Sequence, residues 1–204
     1  MEGKLVRIVA VWLVGIINQH ACKESSELTK MNLGMEVLLI NVVKLVAIYS
    51  LAVIMGTLSL TLITHLSFVA VKRYSFGLHA LNSTVCTLVS SVMFVLIPWA
   101  LSDFGIKNLS VVLVFVGIII SLSFFAPADT KARPLIGVRN RKRLKIKAVI
   151  SGIIVFLVAL LIPNETVKLM LALGAVYQSI AILPLTYKLL GRSGKNYEKY
   201  ECKS

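Results

Sequence analysis

Acidic side chains are scarce in this 204-residue chain: 9 Asp and Glu stand against 22 Lys and Arg, and all charged residues make up only 15%. A globular domain carries about 25%. Cysteine is nearly absent too. Cys22, Cys86 and Cys202 are too few and too scattered for a disulfide framework or a zinc site, so no metal or other cofactor is expected. Ionised groups are missing altogether from Leu45–Val71, Tyr74–Ser102, Asn108–Ala128, Ala148–Asn164 and Leu169–Tyr187. With 57% hydrophobic residues and a mean hydropathy of +0.87, these shortages exclude a soluble domain, a disordered chain and a nucleic-acid-binding module. A chain of this size cannot hide so much apolar side chain from water, so lipid is the solvent for most of it. The net charge of +13 then reads as the excess of Lys and Arg on cytoplasmic loops.

A crossing helix needs about 20 apolar residues. The stretch from Val37 to Val71 holds only Lys44 as an ionised group and would be about 52 Å long as one helix, far more than the ~30 Å hydrocarbon core. Gly56-Thr57 near its middle offers a turn, which gives crossings at about 37–55 and 58–72 and six in all. Loop charge supports that count. With six crossings 19 Lys and Arg fall on one side, and only Lys107 and Lys168 on the other. Both termini are then cytoplasmic. The expected fold is an all-α polytopic membrane protein with about six transmembrane helices.

The segment Leu5–Ile17 is short for a crossing and reads as an amphipathic helix in the inner interface, with Lys4 and Arg7 at headgroups and Trp12 embedded. Gln19-His20-Ala21 is not a small-x-small cleavage site, which disfavours a cleaved signal peptide. The expected organisation is an N-terminal segment (1–35), a six-helix membrane domain (36–187) with a loop at 73–86 and a basic cytoplasmic loop at 127–147, and a basic tail (188–204). Pro98, Pro127, Pro163 and Pro184 are expected near helix ends.

Ionisable groups in or near the membrane are functional candidates by default. Here they are Glu36, Lys44, His65, His79 and Cys86, and His79 with Cys86 is the pair with the chemistry of a base and its nucleophile. On one unbroken helix these two would share a face but sit ~10.5 Å apart along the axis, too far for a hydrogen bond. The pair works only if a helix begins between them. Gly77 permits a turn, and Asn82 or Ser83 is a good N-cap. Cys86 then falls in the first turn of the new helix, where the dipole favours negative charge, and His79 lies on the loop. Glu36 is a possible orienter of His79; Asn82, Ser83 and Gln178 are its rivals. His65, mid-crossing, is expected to make a helix–helix hydrogen bond.

The run Arg73…Gly77-x-His79-Ala80…Cys86 resembles the active-site segment of the accessory gene regulator B (AgrB) family, the membrane cysteine endopeptidases of bacterial peptide quorum sensing. Ala126-Pro127-Ala128-Asp129-Thr130, with the basic residues that follow through Lys147, resembles that family's central loop. The likeness runs from about Asn32 to about Lys188. It implies catalytic roles for His79 and Cys86, supporting roles for Arg73 and Gly77, and a bacterial cell-membrane location with the site on the cytoplasmic side. It also implies a small AgrD-like precursor with an acidic C-terminal tail as substrate, and a homodimer.

The basic loop suits anionic membrane lipids, at about 1 kcal/mol per basic residue near the surface. Arg139, Arg141, Lys142 and Arg143 are also candidates for docking the precursor's acidic tail. Two other function classes compete: a small transporter or permease subunit, and a non-catalytic peptide-export helper. Transporters usually show internal repeats and paired broken helices, and neither is visible in the sequence.

Overall fold

The computed structural model describes residues 2–21, 25–77, 83–130 and 135–191. Among these there is no β-strand. The helices are α1 (Glu2–Ala21), α2 (Ser25–Ile54), α3 (Leu58–Ser75), α4 (Ser83–Ser91), α5 (Ile97–Ala100), α6 (Asn108–Phe125), α7 (Val138–Leu161), α8 (Glu165–Ile182) and α9 (Pro184–Leu189). A π-helical turn, Val92–Leu96, joins α4 to α5 in one rod. Four of the helices, α2, α6, α7 and α8, are long and apolar enough to cross a membrane. Together with α3 and the rod from Ser83 to Ala100 they form the all-α membrane fold expected from composition.

The turn expected at Gly56-Thr57 is present. Gly56 adopts φ 68°, and the amides of Gly56 and Thr57 donate to the carbonyls of Val53 (3.0 Å) and Ala52 (2.9 Å). This is a Schellman cap, in which the last carbonyls of α2 find donors as the chain reverses into α3. Two boundaries differ from expectation. The 30-residue helix α2 starts at Ser25, within the expected N-terminal segment, and Glu36 lies in its interior. At ~45 Å this helix exceeds the hydrocarbon core, so it projects beyond the membrane or tilts within it. Likewise α7 starts at Val138, so the second half of the basic stretch is helix rather than loop. Arg, Lys and Leu are good helix formers, and nothing after Gly137 interrupts them.

The central helix is α3, which packs on α7 and α8 and also meets α2, α5 and the π turn; α6 packs on α7 and α8. Its buried face carries Thr61, Thr64, Ser67, Val71 and Ser75 at helical spacing. Small and hydroxyl-bearing residues suit a helix surrounded by helices, because backbones approach closely and polar hydrogens find carbonyls. The hydroxyl of Ser67 donates to Leu171 O (2.6 Å), and that of Ser151 on α7 donates to Ala70 O (2.7 Å). On α8, Gly174 lets the backbones touch: a Cβ there would overlap the Thr64 carbonyl oxygen. Tyr49 on α2 and His65 Nδ1 on α3 are 2.6 Å apart, the interhelical hydrogen bond expected of His65. Finally α1 packs on α2, burying Ala10 and Val14 and turning Ile8, Trp12 and Ile16 outward.

Candidate active site

The helix α3 ends in Lys72-Arg73-Tyr74-Ser75 and stops at Phe76, which takes φ 56°, ψ −127°. The next residue, Gly77, has φ 106°. That conformation alone favours glycine, and the space around it adds a second demand. A Cβ on Gly77 would lie 3.2 Å from Ala181 O and 3.3 Å from Ile182 Cγ2. The chain therefore leaves α3 against the end of α8, ahead of His79. His79 and Asn82 lie outside the described residues.

Ser75–Gly77 is held from two sides. Residues after α6 run alongside it in a short parallel bridge: Ala128 N donates to Ser75 O (2.9 Å) and Gly77 N donates to Ala128 O (3.0 Å). The two stretches that carry the resemblance, Arg73…Gly77 and Ala126…Thr130, are thus bonded to each other. From α8, fully buried Gln178 uses both hydrogens of Nε2, one to Ser75 Oγ (2.7 Å) and one to Phe76 O (2.6 Å). Ser75 Oγ donates in turn to Val71 O (2.8 Å). The Oε1 atom of Gln178 has no partner among the described residues. Beyond the end of α8, the Tyr187 hydroxyl donates to Asp129 O (3.0 Å). Burial, with Asp129 beside it, pushes that hydroxyl up to about 12, so it stays a neutral donor.

Further on, α4 is under way by Ser83, and Cys86 sits half-buried in its first described turn. A short connection joins the end of α3 to the start of α4, so the two lie at one end of the bundle. The Lys72 ammonium rests 4.7 Å over the Phe68 ring. Reasoning from the sequence singled out the neighbouring Arg73; the structure turns Arg73 outward, exposed, with its guanidinium 5.8 Å from the Tyr74 ring. A cation in the last turn of α3 was legible in Lys72-Arg73, but which of the two is the less exposed depends on the rotation of α3.

Glu36 is half-buried within α2, a helix that touches α4. Among the described side chains, the rival orienter Gln178 is bonded to the segment that leads to His79. The four basic candidates separate. Arg141, whose guanidinium donates to Leu135 O (3.0 Å), and the exposed Lys142 line a cavity beside Ala126–Asp129, whereas Arg139 and Arg143, also exposed, do not. Lys145 and Lys188 line the same cavity and were missed. The helical spacing of 138, 141, 142 and 145 held that signal once the stretch is read as helix rather than loop.

The sequence model of one family, accessory gene regulator B, matches residues 10–182. This chain belongs to the accessory gene regulator B family. AgrB proteins take part in accessory gene regulation, a quorum-sensing system. An AgrB-like protein of Listeria innocua is 44% identical over 187 residues, covering 91% of this chain and 92% of that one. An AgrB-like protein of Clostridium acetobutylicum is 37% identical over 198 residues, covering 97% and 93%. Accessory gene regulator protein B of Staphylococcus aureus is 35% identical over 158 residues, covering 78% and 82%. No solved structure matches this AgrB chain.

Proposed function

We propose that this protein is a membrane-embedded cysteine endopeptidase that removes the C-terminal tail of a small AgrD-like precursor and promotes ring closure of the remainder. The observation that carries the reading is the interruption between α3 and α4, with Cys86 in the first described turn of α4. Membership of the AgrB family supports it.

In this mechanism His79, two residues beyond Gly77, takes the thiol proton of Cys86. The sulfur attacks the scissile carbonyl, the C–N bond breaks, and His79 returns the proton to the leaving amine. The N-terminal part remains as a thioester on Cys86. A Cys thiol or Ser hydroxyl inside the peptide then attacks that thioester, releasing Cys86 and closing a thiolactone or lactone. Exchanging a peptide bond for a thioester is uphill, so the scheme needs the acidic tail to leave and water to stay away. The excess of Lys and Arg on one side of the membrane supports a site on the cytoplasmic face.

The test is Cys86→Ser and His79→Ala, each in membranes with a precursor tagged on its tail. Either change abolishes tail release while membrane insertion stays normal. Undiminished release in either variant refutes the mechanism, and is what the permease and export-helper readings require.

A further inference from the structure

Beside Ala126–Asp129, between the ends of α6 and α8 and the start of α7, lies a cavity of about 520 Å³, within the range of ligand sites. Phe124, Phe125 and Ile182 give it apolar walls, and Lys142, Lys145 and Lys188 add cations from α7 and α9. Arg141 is a further cation in the lining. Asp129 is the one acid among the lining residues, and it is only 4% exposed. The basic side chains of the cavity follow one stripe of α7, at 141, 142 and 145, while Arg139 and Arg143 occupy another face.

An anionic, partly apolar ligand fits this chemistry. Two features favour a peptide over a lipid. The cations come from two helices and outnumber the single charge of a phospholipid phosphate. One wall is also the backbone stretch whose Ala128 is hydrogen-bonded to Ser75 and Gly77, so an occupant rests on the stretch that is paired with the segment leading to His79. We infer that this cavity binds the acidic segment on the leaving side of the scissile bond, with its apolar side chains on Phe124, Phe125 and Ile182. The inference rests on the endopeptidase reading for its effect on turnover, though not for binding itself.

The experiment uses the full chain in phosphatidylcholine nanodiscs and a fluorescent peptide of alternating Glu and Leu as probe. Lys142→Gln with Lys145→Gln removes two charges from the cavity; Arg139→Gln with Arg143→Gln removes two from the other face of the same helix. The cavity pair weakens peptide binding about tenfold and the outer pair less than about twofold, the size expected of two partly exposed charge contacts. Lys188→Gln alone shifts binding in the same direction. With a cleavable precursor the cavity pair raises KM by the same factor and leaves kcat unchanged. Equal weakening by both pairs, or none by the cavity pair, overturns the inference. So does displacement of the peptide by added phosphatidylglycerol through the same lysines, which would make this a lipid site. If the cavity pair weakens binding but the unmodified protein releases no tail, the docking site stands and the endopeptidase reading falls.

Discussion

Replacing Gln178 with leucine separates a positioning role from a merely structural one. The substitution keeps a side chain of similar bulk and removes both Nε2 donors, which reach Ser75 Oγ and Phe76 O at 2.7 and 2.6 Å. Ser75 Oγ keeps its bond to Val71 O, but the Phe76 carbonyl loses a buried donor. Leaving a buried acceptor unmet costs about 1–3 kcal/mol, while hydrogen bonds between membrane helices average ~0.6 and reach ~1.7 kcal/mol each. The segment before His79 therefore loses about 2–3 kcal/mol of restraint, while its two backbone bonds to Ala128 remain. A displacement of about 1 Å at reacting groups costs on the order of 100-fold in rate. Single-turnover tail release from a tagged precursor should thus fall about 30- to 100-fold in kcat, with KM nearly unchanged. The control is Ser151→Ala, which breaks a comparable interhelical bond, the 2.7 Å contact with Ala70 O, away from the break. It lowers the detergent unfolding temperature and leaves kcat intact. If both variants lose stability alike and both keep kcat, Gln178 only packs the bundle, and the positioning role is wrong.

Gly77→Ala forces a side chain into φ 106° and against Ala181 O, at about 1–3 kcal/mol for the backbone alone; tail release should be lost from protein that still inserts in the membrane. Gly174→Ala places a methyl on the Thr64 carbonyl and drives α3 from α8, which should lower the unfolding temperature more than any other Gly→Ala change in α8 or α7. A smaller loss from Gly174 than from Gly152, which meets only the Leu122 side chain, would contradict that close approach. His65→Phe removes the bond with Tyr49 and should cost ~0.5–1.5 kcal/mol of stability with no change in tail release; a large loss of activity would make His65 part of the chemistry.

Much of the architecture is written locally. The reversal at Gly56 follows from a hydrophobic run too long for the bilayer plus one glycine, and α3 ends just before Gly77, where the sequence offers a turn. The bond made by His65 follows from a polar ring with no water to meet. What was not legible depends on three-dimensional rotation or on pairing between distant segments. Charge counting marked 127–147 as one basic loop, because a charge census does not distinguish a loop from a solvated first turn. Only the helical start at Val138 divides Arg141, Lys142 and Lys145 from Arg139 and Arg143. Gln178 was one rival among several, because nothing in α8 alone reveals that its amide meets the end of α3. The bridge between Ser75–Gly77 and Ala128 leaves no trace in composition or periodicity.

That bridge has a consequence for how members of this family are recombined. Because residues 75–77 and 128 share backbone hydrogen bonds and Gln178 reaches the same spot, the three stretches behave as a single cassette. A hybrid that takes the first from one parent and the second from another joins parts shaped for different neighbours. Exchanges of specificity between relatives should succeed when all three travel together, and fail at junctions that divide them.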